Sequence, residues 1–356
     1  MAIDITSLIR NNVKKMKKYA SARDEFSGKA KVFLDANENS FGSPAKQALN
    51  RYPDPLQKQL RDKISAYKEL LSPERLFLGN GSDEAIDLIL RAFCEPRADA
   101  LMLLPPTYGM YSVSANINDV RILEVPLNKD FSLNTDEIIR IAQRERPKVI
   151  FICSPNNPTA NVYAEKDVEE VLSSVESLVI VDEAYIDFAD TPSWVNRLDE
   201  FNNLIVLQTF SKAWGMAGAR LGMAFADPQI IEVLNKIKYP YNISDCSSGI
   251  VLDTISDPAR KEKMVGDIKT ERAYLMDRMK AIAVVKEVLP SQANFFLARF
   301  DDPDDVYRFL TEEGIVVRNR SNQLHCEGCL RITVGTREQN DLLCEALNKY
   351  AEKETR

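Results

Sequence analysis

Lys212 lies in Thr209-Phe210-Ser211-Lys212-Ala213-Trp214, directly after the apolar run Leu204-Ile205-Val206-Leu207 and shortly before Arg220. An amine at the end of a buried run is poorly solvated, and nearby cations disfavour its charged form. Both effects lower its pKa, and a neutral amine forms a Schiff base with an aldehyde. Thr209, Ser211 and Arg220 add two hydroxyls and a fixed positive charge suited to a phosphate. A surface lysine at an ordinary strand end has the same local string, so the reading needs support from elsewhere in the chain.

An aldehyde that carries a phosphate is pyridoxal 5'-phosphate, and two upstream segments bear on it. In Val179-Ile180-Val181-Asp182-Glu183-Ala184-Tyr185, three β-branched residues predict a buried parallel strand with an acid at its carboxyl end. Open α/β sheets place their ligand-contacting groups there. A cofactor pyridine nitrogen stays protonated beside an anion, and Asp182 suits that role. Tyr185 can donate to the phenolate oxygen. An acid satisfying a helix N-terminus is the alternative. In Val149-Ile150-Phe151-Ile152-Cys153-Ser154-Pro155-Asn156-Asn157-Pro158-Thr159, a second apolar run ends in a proline-bracketed turn with two amides. Such a turn can hold the Asn157 amide rigidly over a site, donating to the cofactor O3′; a generic tight turn is the other reading.

The order of these strings, an amide turn, then Asp-x-x-Tyr, then Ser-Lys, resembles the fold-type I pyridoxal-phosphate aminotransferases nearly from end to end. More narrowly, the chain is similar to their histidinol-phosphate branch in Leu34-Asp35-Ala36-Asn37-Glu38-Asn39, Arg51-Tyr52-Pro53, Pro105-Pro106-Thr107-Tyr108-Gly109-Met110-Tyr111 and Cys329-Leu330-Arg331-Ile332-Thr333-Val334-Gly335. Ala160 departs from the pattern by replacing a usual glycine. It strains the turn only if its φ is positive.

The resemblance implies a homodimer in which Tyr52 reaches the partner's cofactor phosphate, and a Tyr108 ring stacked on the pyridine. It also implies a substrate anion gripped by Arg331, with Arg318, Tyr19 and Asn157 helping to hold a phosphate and Asn37 as a further substrate-binding residue. The implied reaction interconverts L-histidinol phosphate and 2-oxoglutarate with imidazole-acetol phosphate and L-glutamate. Aromatic amino-acid transamination and threonine-phosphate decarboxylation remain open, because one electron sink serves several bond cleavages. Taken without the resemblance, Tyr108 reads more readily as packing, and a surface strand residue is the alternative for Arg318.

Leu78-Gly79-Asn80-Gly81-Ser82-Asp83-Glu84 is a glycine-rich turn between a predicted strand and helix. A dinucleotide fingerprint would need a third glycine where Glu84 stands. What the turn retains is exposed N–H groups at a helix N-terminus, so Gly81, Ser82 and Asp83 are expected to face the cofactor phosphate. A plain cap by Ser82 or Asp83 is the alternative.

The elements that must position these groups alternate helix and strand from about residue 45 to 240, which predicts a mostly parallel sheet covered by helices. Beyond Tyr241 the pattern changes to a smaller α+β lobe. The expected fold is therefore α/β, of the fold-type I kind. Residues 41–243 form the large cofactor-binding domain, 244–356 form the small one, and 1–40 pack with the small domain.

Bulk properties narrow the function. The 356 residues suit two lobes, and a 45% hydrophobic, 28% charged composition is ordinary for a globular chain. A net charge of −7 argues against nucleic acid as the main partner. No apolar run is long enough for a membrane span, and the first ten residues lack a signal-peptide pattern. With six irregularly spaced cysteines, this predicts a cytoplasmic protein with reduced thiols. His325-Cys326-Glu327-Gly328-Cys329 holds the only histidine and too few ligands for a zinc site, so no metal is expected. That single histidine also leaves little room for Ser-His-Asp catalysis.

Overall fold

Four successive runs, Val149–Cys153, Leu178–Asp182, Leu204–Thr209 and Leu221–Ala226, are buried at every position. Strands this apolar on both faces must be covered on both faces. In the computed structural model, which describes residues 3–19 and 31–354, they form the middle of a seven-stranded sheet. Its strands are β1 (Leu76–Asn80), β2 (Ala100–Leu103), β3 (Arg121–Glu124), β4 (Val149–Cys153), β5 (Leu178–Asp182), β6 (Leu204–Thr209) and β7 (Leu221–Ala226), in the order β1-β7-β6-β5-β4-β2-β3. All neighbours are parallel except β7, which runs antiparallel to both β1 and β6.

Alternate residues of each strand enter opposite cores. Val179 and Val181 join one cluster with Ile150, Ile152 and Val206, while Leu178 and Ile180 join the other with Val149, Phe151 and Ile205. The parallel register places Cys153 opposite Asp182 and Asp182 opposite Leu207, so the ends of β4, β5 and β6 open onto one place.

β7 carries Gly222 inside its apolar run, where a glycine normally weakens a strand. The structure gives the reason for that glycine. A Cβ at 222 would lie 2.1 Å from the Ser82 backbone nitrogen, so the turn after β1 can cross β7 only over a residue without a side chain. The helix before β1 spans only Lys58–Tyr67 and starts three residues after Pro55. Asp54 accepts from the Leu56 and Lys58 amides, and Gln57 adopts a left-handed φ of 51°, which delays the helix start.

The second sheet contains β8 (Glu287–Val288), β9 (Phe295–Arg299), β10 (Arg318–Asn319) and β11 (Cys329–Thr333), all antiparallel, in the order β10-β11-β9-β8. One face, with Phe296, Ala298, Leu330 and Ile332, packs on Leu275, Met279, Leu343 and Leu347 of the C-terminal helices. From the other face, Leu297 and Cys329 enter the large-sheet core. The small sheet thus leans on the large lobe with Arg331 between them.

The N-terminal segment differs from the expectation that it packs with the small lobe. Ile3 exchanges backbone hydrogen bonds with the Asn202 amide at 3.0 and 2.8 Å, and Ile5 and Val13 are buried in the large-sheet core. Lys236 donates to the Val13 carbonyl at 2.7 Å. Two short apolar turns thus find their partner on the large lobe, beside the helix Pro228–Ile237. Residues 20–30, which complete the expected segment around Tyr19, lie outside the described residues. No described helix is long and apolar enough to cross a membrane.

Candidate active site

A cavity of about 180 Å³ lies where β4, β5 and β6 end. Eleven of the twelve residues expected to hold the cofactor line it, Tyr52 being the exception. On one side, Gly81 ends β1 and starts the helix Ser82–Phe93 with no side-chain cap. The first amides of that helix therefore face the cavity without the Ser82 or Asp83 cap that was the alternative reading. Gly81 has φ 77° and donates its N–H to the Arg220 carbonyl at 2.8 Å; a Cβ there would lie 2.6 Å from the Arg220 guanidinium. The Thr209 hydroxyl lies 3.0 Å from the Ser211 hydroxyl and accepts the Ser211 amide at 3.1 Å, which sets the two hydroxyls side by side. Helix amides, hydroxyls and a guanidinium together form a cup for a phosphate.

At the opposite end, Asp182 is 3% exposed. The Tyr111 hydroxyl donates to its Oδ2 at 2.6 Å, and the Ala184 amide donates to its Oδ1 at 3.1 Å. Burial raises its pKa to about 6, against the lowering effect of those two hydrogen bonds and of Lys212. An anion held at this depth awaits a cationic partner. Tyr111 is fully buried and stacked on Phe151 with ring centroids 4.4 Å apart. The sequence reading gave Tyr111 no role. Its signal was its spacing: Tyr108 and Tyr111 are three residues apart at the start of the helix Met110–Ile117, and both face the site.

Lys212 projects from the loop after β6, its amine 5.4 Å from the centre of the Tyr185 ring. Partial burial lowers its pKa, Arg331 lowers it further, and Asp182 and Asp83 oppose them. Tyr185 is buried, packed edge-on against Phe295, and its phenol is held protonated chiefly by that burial. Tyr108 donates to Asp83 Oδ1 at 3.3 Å. Across the cavity, Arg331 Nη1 donates to Asn157 Oδ1 at 2.6 Å, which turns the Asn157 NH₂ away from the arginine.

Ala160 answers the question its substitution raised. Its φ is 63°, so the turn carries the strain a glycine would avoid, and the residue is fully buried in a cluster that includes Tyr185 and Phe295. Of the residues expected to bind substrate, Asn157 and Arg331 meet at the site, and Arg318 faces Arg331 in the β10–β11 register. Tyr19 and Asn37 are exposed and line no part of the cavity. Tyr52 is 51% exposed and stacks on Tyr241 at 4.5 Å instead.

The profile of the family "Aminotransferase class I and II" matches residues 24–347. The chain belongs to that aminotransferase family. A histidinol-phosphate aminotransferase of Cytophaga hutchinsonii is 50% identical over 98% of this chain and 100% of its own length. One of Bacteroides fragilis is 50% identical over 97% and 99%. The fold is similar to that of a histidinol-phosphate aminotransferase from Sinorhizobium meliloti solved with pyridoxal-5'-phosphate, with TM-score 0.79, 22% identity, and 90% of each chain covered. As an aminotransferase of this family, the protein is a pyridoxal-phosphate enzyme. The residues present fit that group: a lysine of lowered pKa, an uncapped helix N-terminus and a buried carboxylate surround one cavity.

Proposed function

We propose that this chain exchanges an amino group between L-histidinol phosphate and 2-oxoglutarate, giving imidazole-acetol phosphate and L-glutamate. The observation that carries the chemistry is the meeting of Lys212 and Asp182 in one cavity, with Arg331 held against its lining by Asn157 and close enough to lower the Lys212 pKa. The substrate reading is supported by relatives of that name matched over nearly their whole length.

Bound pyridoxal phosphate supplies a cationic ring that stabilises negative charge at the substrate Cα. Lys212 would hold its aldehyde carbon covalently, and the released amine would move the proton at Cα. Asp182 would keep the ring nitrogen protonated, with Tyr111 and the Ala184 amide holding the carboxylate in its charged form. Tyr185 and the Asn157 amide would donate to the ring oxygen, while Tyr108 would cover the ring face. The phosphate would take the Ser82 and Asp83 amides and the side chains of Ser82, Thr209, Ser211 and Arg220. Arg331 would fork onto the substrate anion.

Tyr52 would complete the phosphate cup of a second copy, making the homodimer the active unit. Its exposed ring is tied by stacking to Tyr241, and Phe41, Leu49, Tyr239 and Ile250 of the neighbouring segments are also exposed. Exposed apolar groups of this kind suit a self-complementary interface. We place the enzyme in the cytoplasm, where its thiols stay reduced. Turnover of histidinol phosphate that requires 2-oxoglutarate supports this reading. Release of carbon dioxide, or faster turnover of phenylalanine, would move it to a decarboxylase or an aromatic aminotransferase.

A further inference from the structure

The far wall of the site carries more positive charge than one substrate carboxylate needs. Arg318 and Arg331 are directly opposed in the β10–β11 ladder, so their side chains leave the sheet on one face. The Arg320 amide continues that ladder by donating to the Cys329 carbonyl at 2.9 Å. Two residues beyond Arg318, Arg320 returns to the same face. None of the three guanidinium groups has a carboxylate partner among the described residues, although the chain as a whole is acidic. The Nε atoms of Arg320 and Arg331 are buried and donate to nothing. Like charges set opposite one another destabilise a sheet, and a buried donor without an acceptor adds a further cost. Burial lowers the pKa of Arg320, and the charges of Arg331 and Arg318 lower it further.

From this cluster we infer that Arg320 is a specificity-determining residue that reads the second negative charge of a phosphate substrate. The inference rests on the phosphate-substrate reading above. One site must take a carboxylate in one half-reaction and a phosphate in the other. A carboxylate has two oxygens and one charge, which the planar fork of Arg331 can match alone. A phosphate monoester has three free oxygens and takes its second charge near pH 6. That extra oxygen and charge require a donor that the carboxylate does not use, and Arg320 has both an unused N–H and an uncompensated charge.

The test uses holoenzyme with Arg320→Gln and Arg320→Lys, following each half-reaction separately by cofactor absorbance. Arg320→Gln should lower kcat/KM for histidinol phosphate about ten-fold or more and that for glutamate about three-fold or less. Arg320→Lys, which keeps the charge, should recover most of the loss. In the unmodified enzyme the ratio of the two kcat/KM values should rise between about pH 5.5 and 7 as the phosphate takes its second charge. In Arg320→Gln that rise should flatten, which a merely structural defect would not produce. Equal losses in both half-reactions with an unchanged pH ratio would overturn the assignment. Should the unmodified enzyme use no phosphorylated amine, the substrate reading fails, and inorganic phosphate competing against glutamate still decides Arg320. Its inhibition constant should rise about ten-fold in Arg320→Gln, and an unaltered constant would reject the role.

Discussion

The two ends of the cavity solve opposite problems. At the sheet end, Asp182 is buried with Tyr111 and the Ala184 amide already in place, and Tyr111 is itself clamped on Phe151. At the small-lobe end, Arg318, Arg320 and Arg331 share a face with no acid paired to them among the described residues. The first end already holds its anion in place; the second gathers cations that no described carboxylate pairs with. The difference fits the proposed function, in which the deep end would hold a resident group and the outer end would admit substrates of differing charge.

The sharpest way to break the comparison is at its centre. Lys212→Ala removes both the covalent hold and the base, and should reduce transamination by about four orders of magnitude in single-turnover kinetics. A loss under ten-fold would mean that Lys212 is the surface lysine its local string also allows.

Asp182→Asn should lower kcat by about a hundred-fold or more while cofactor still binds. It also tests the incompleteness of the deep end without any substrate. Burial holds the Asp182 pKa near 6, above the usual 3.8, so folding favours its neutral form. In cofactor-free protein the associated stability is present below about pH 4 and is lost as pH rises through 6, amounting to about 3 kcal/mol at most. Glu183, buried beside it and raised to about 7, contributes a slope of the same sign, so the comparison must be wild type against Asp182→Asn. Urea unfolding at pH 4 and pH 7 should show the variant gaining on the wild type at the higher pH. A difference that does not change with pH would deny Asp182 a raised pKa.

At the outer end, Arg331→Ala should cost each half-reaction about ten- to a hundred-fold in kcat/KM, because both substrates present an anion to it. Loss confined to one substrate would show that the ends of the two substrates occupy separate subsites. The smallest effect should come from Tyr111→Phe, which keeps the stacked ring and removes one hydrogen bond to a carboxylate. Activity should fall about ten-fold, and the acid limb of its pH profile should move to higher pH as the Asp182 pKa rises. An unmoved acid limb would make Tyr111 a packing residue only.

Much of the deep end was legible because the chemistry follows strand ends. The fully apolar runs of β4, β5 and β6 announce parallel, doubly covered strands, and the polar residues after them must then share an opening. β7 was not legible, since its Gly222 serves a backbone crossing that no local pattern records. Nor was the pairing of Tyr111 with Asp182, a contact across 71 positions. The N-terminal segment misled because Ile5 and Val13 show that something is buried without showing against what. Arg320 stands in a loop-like string of polar residues, and only the ladder to Cys329 turns it towards Arg331. Short-range pattern fixes which residues are buried or placed at strand ends; which distant residue answers them is a property of topology.

Amino exchange at Lys212 between a phosphorylated amine and 2-oxoglutarate is the reaction proposed for this cavity. Its most direct test is the absorbance of the holoenzyme during two successive titrations. Histidinol phosphate alone should convert the cofactor stoichiometrically from its aldehyde to its amine form, and 2-oxoglutarate added afterwards should restore the starting spectrum with one glutamate formed per site. An unchanged spectrum with histidinol phosphate, or conversion that 2-oxoglutarate cannot reverse, would contradict the account.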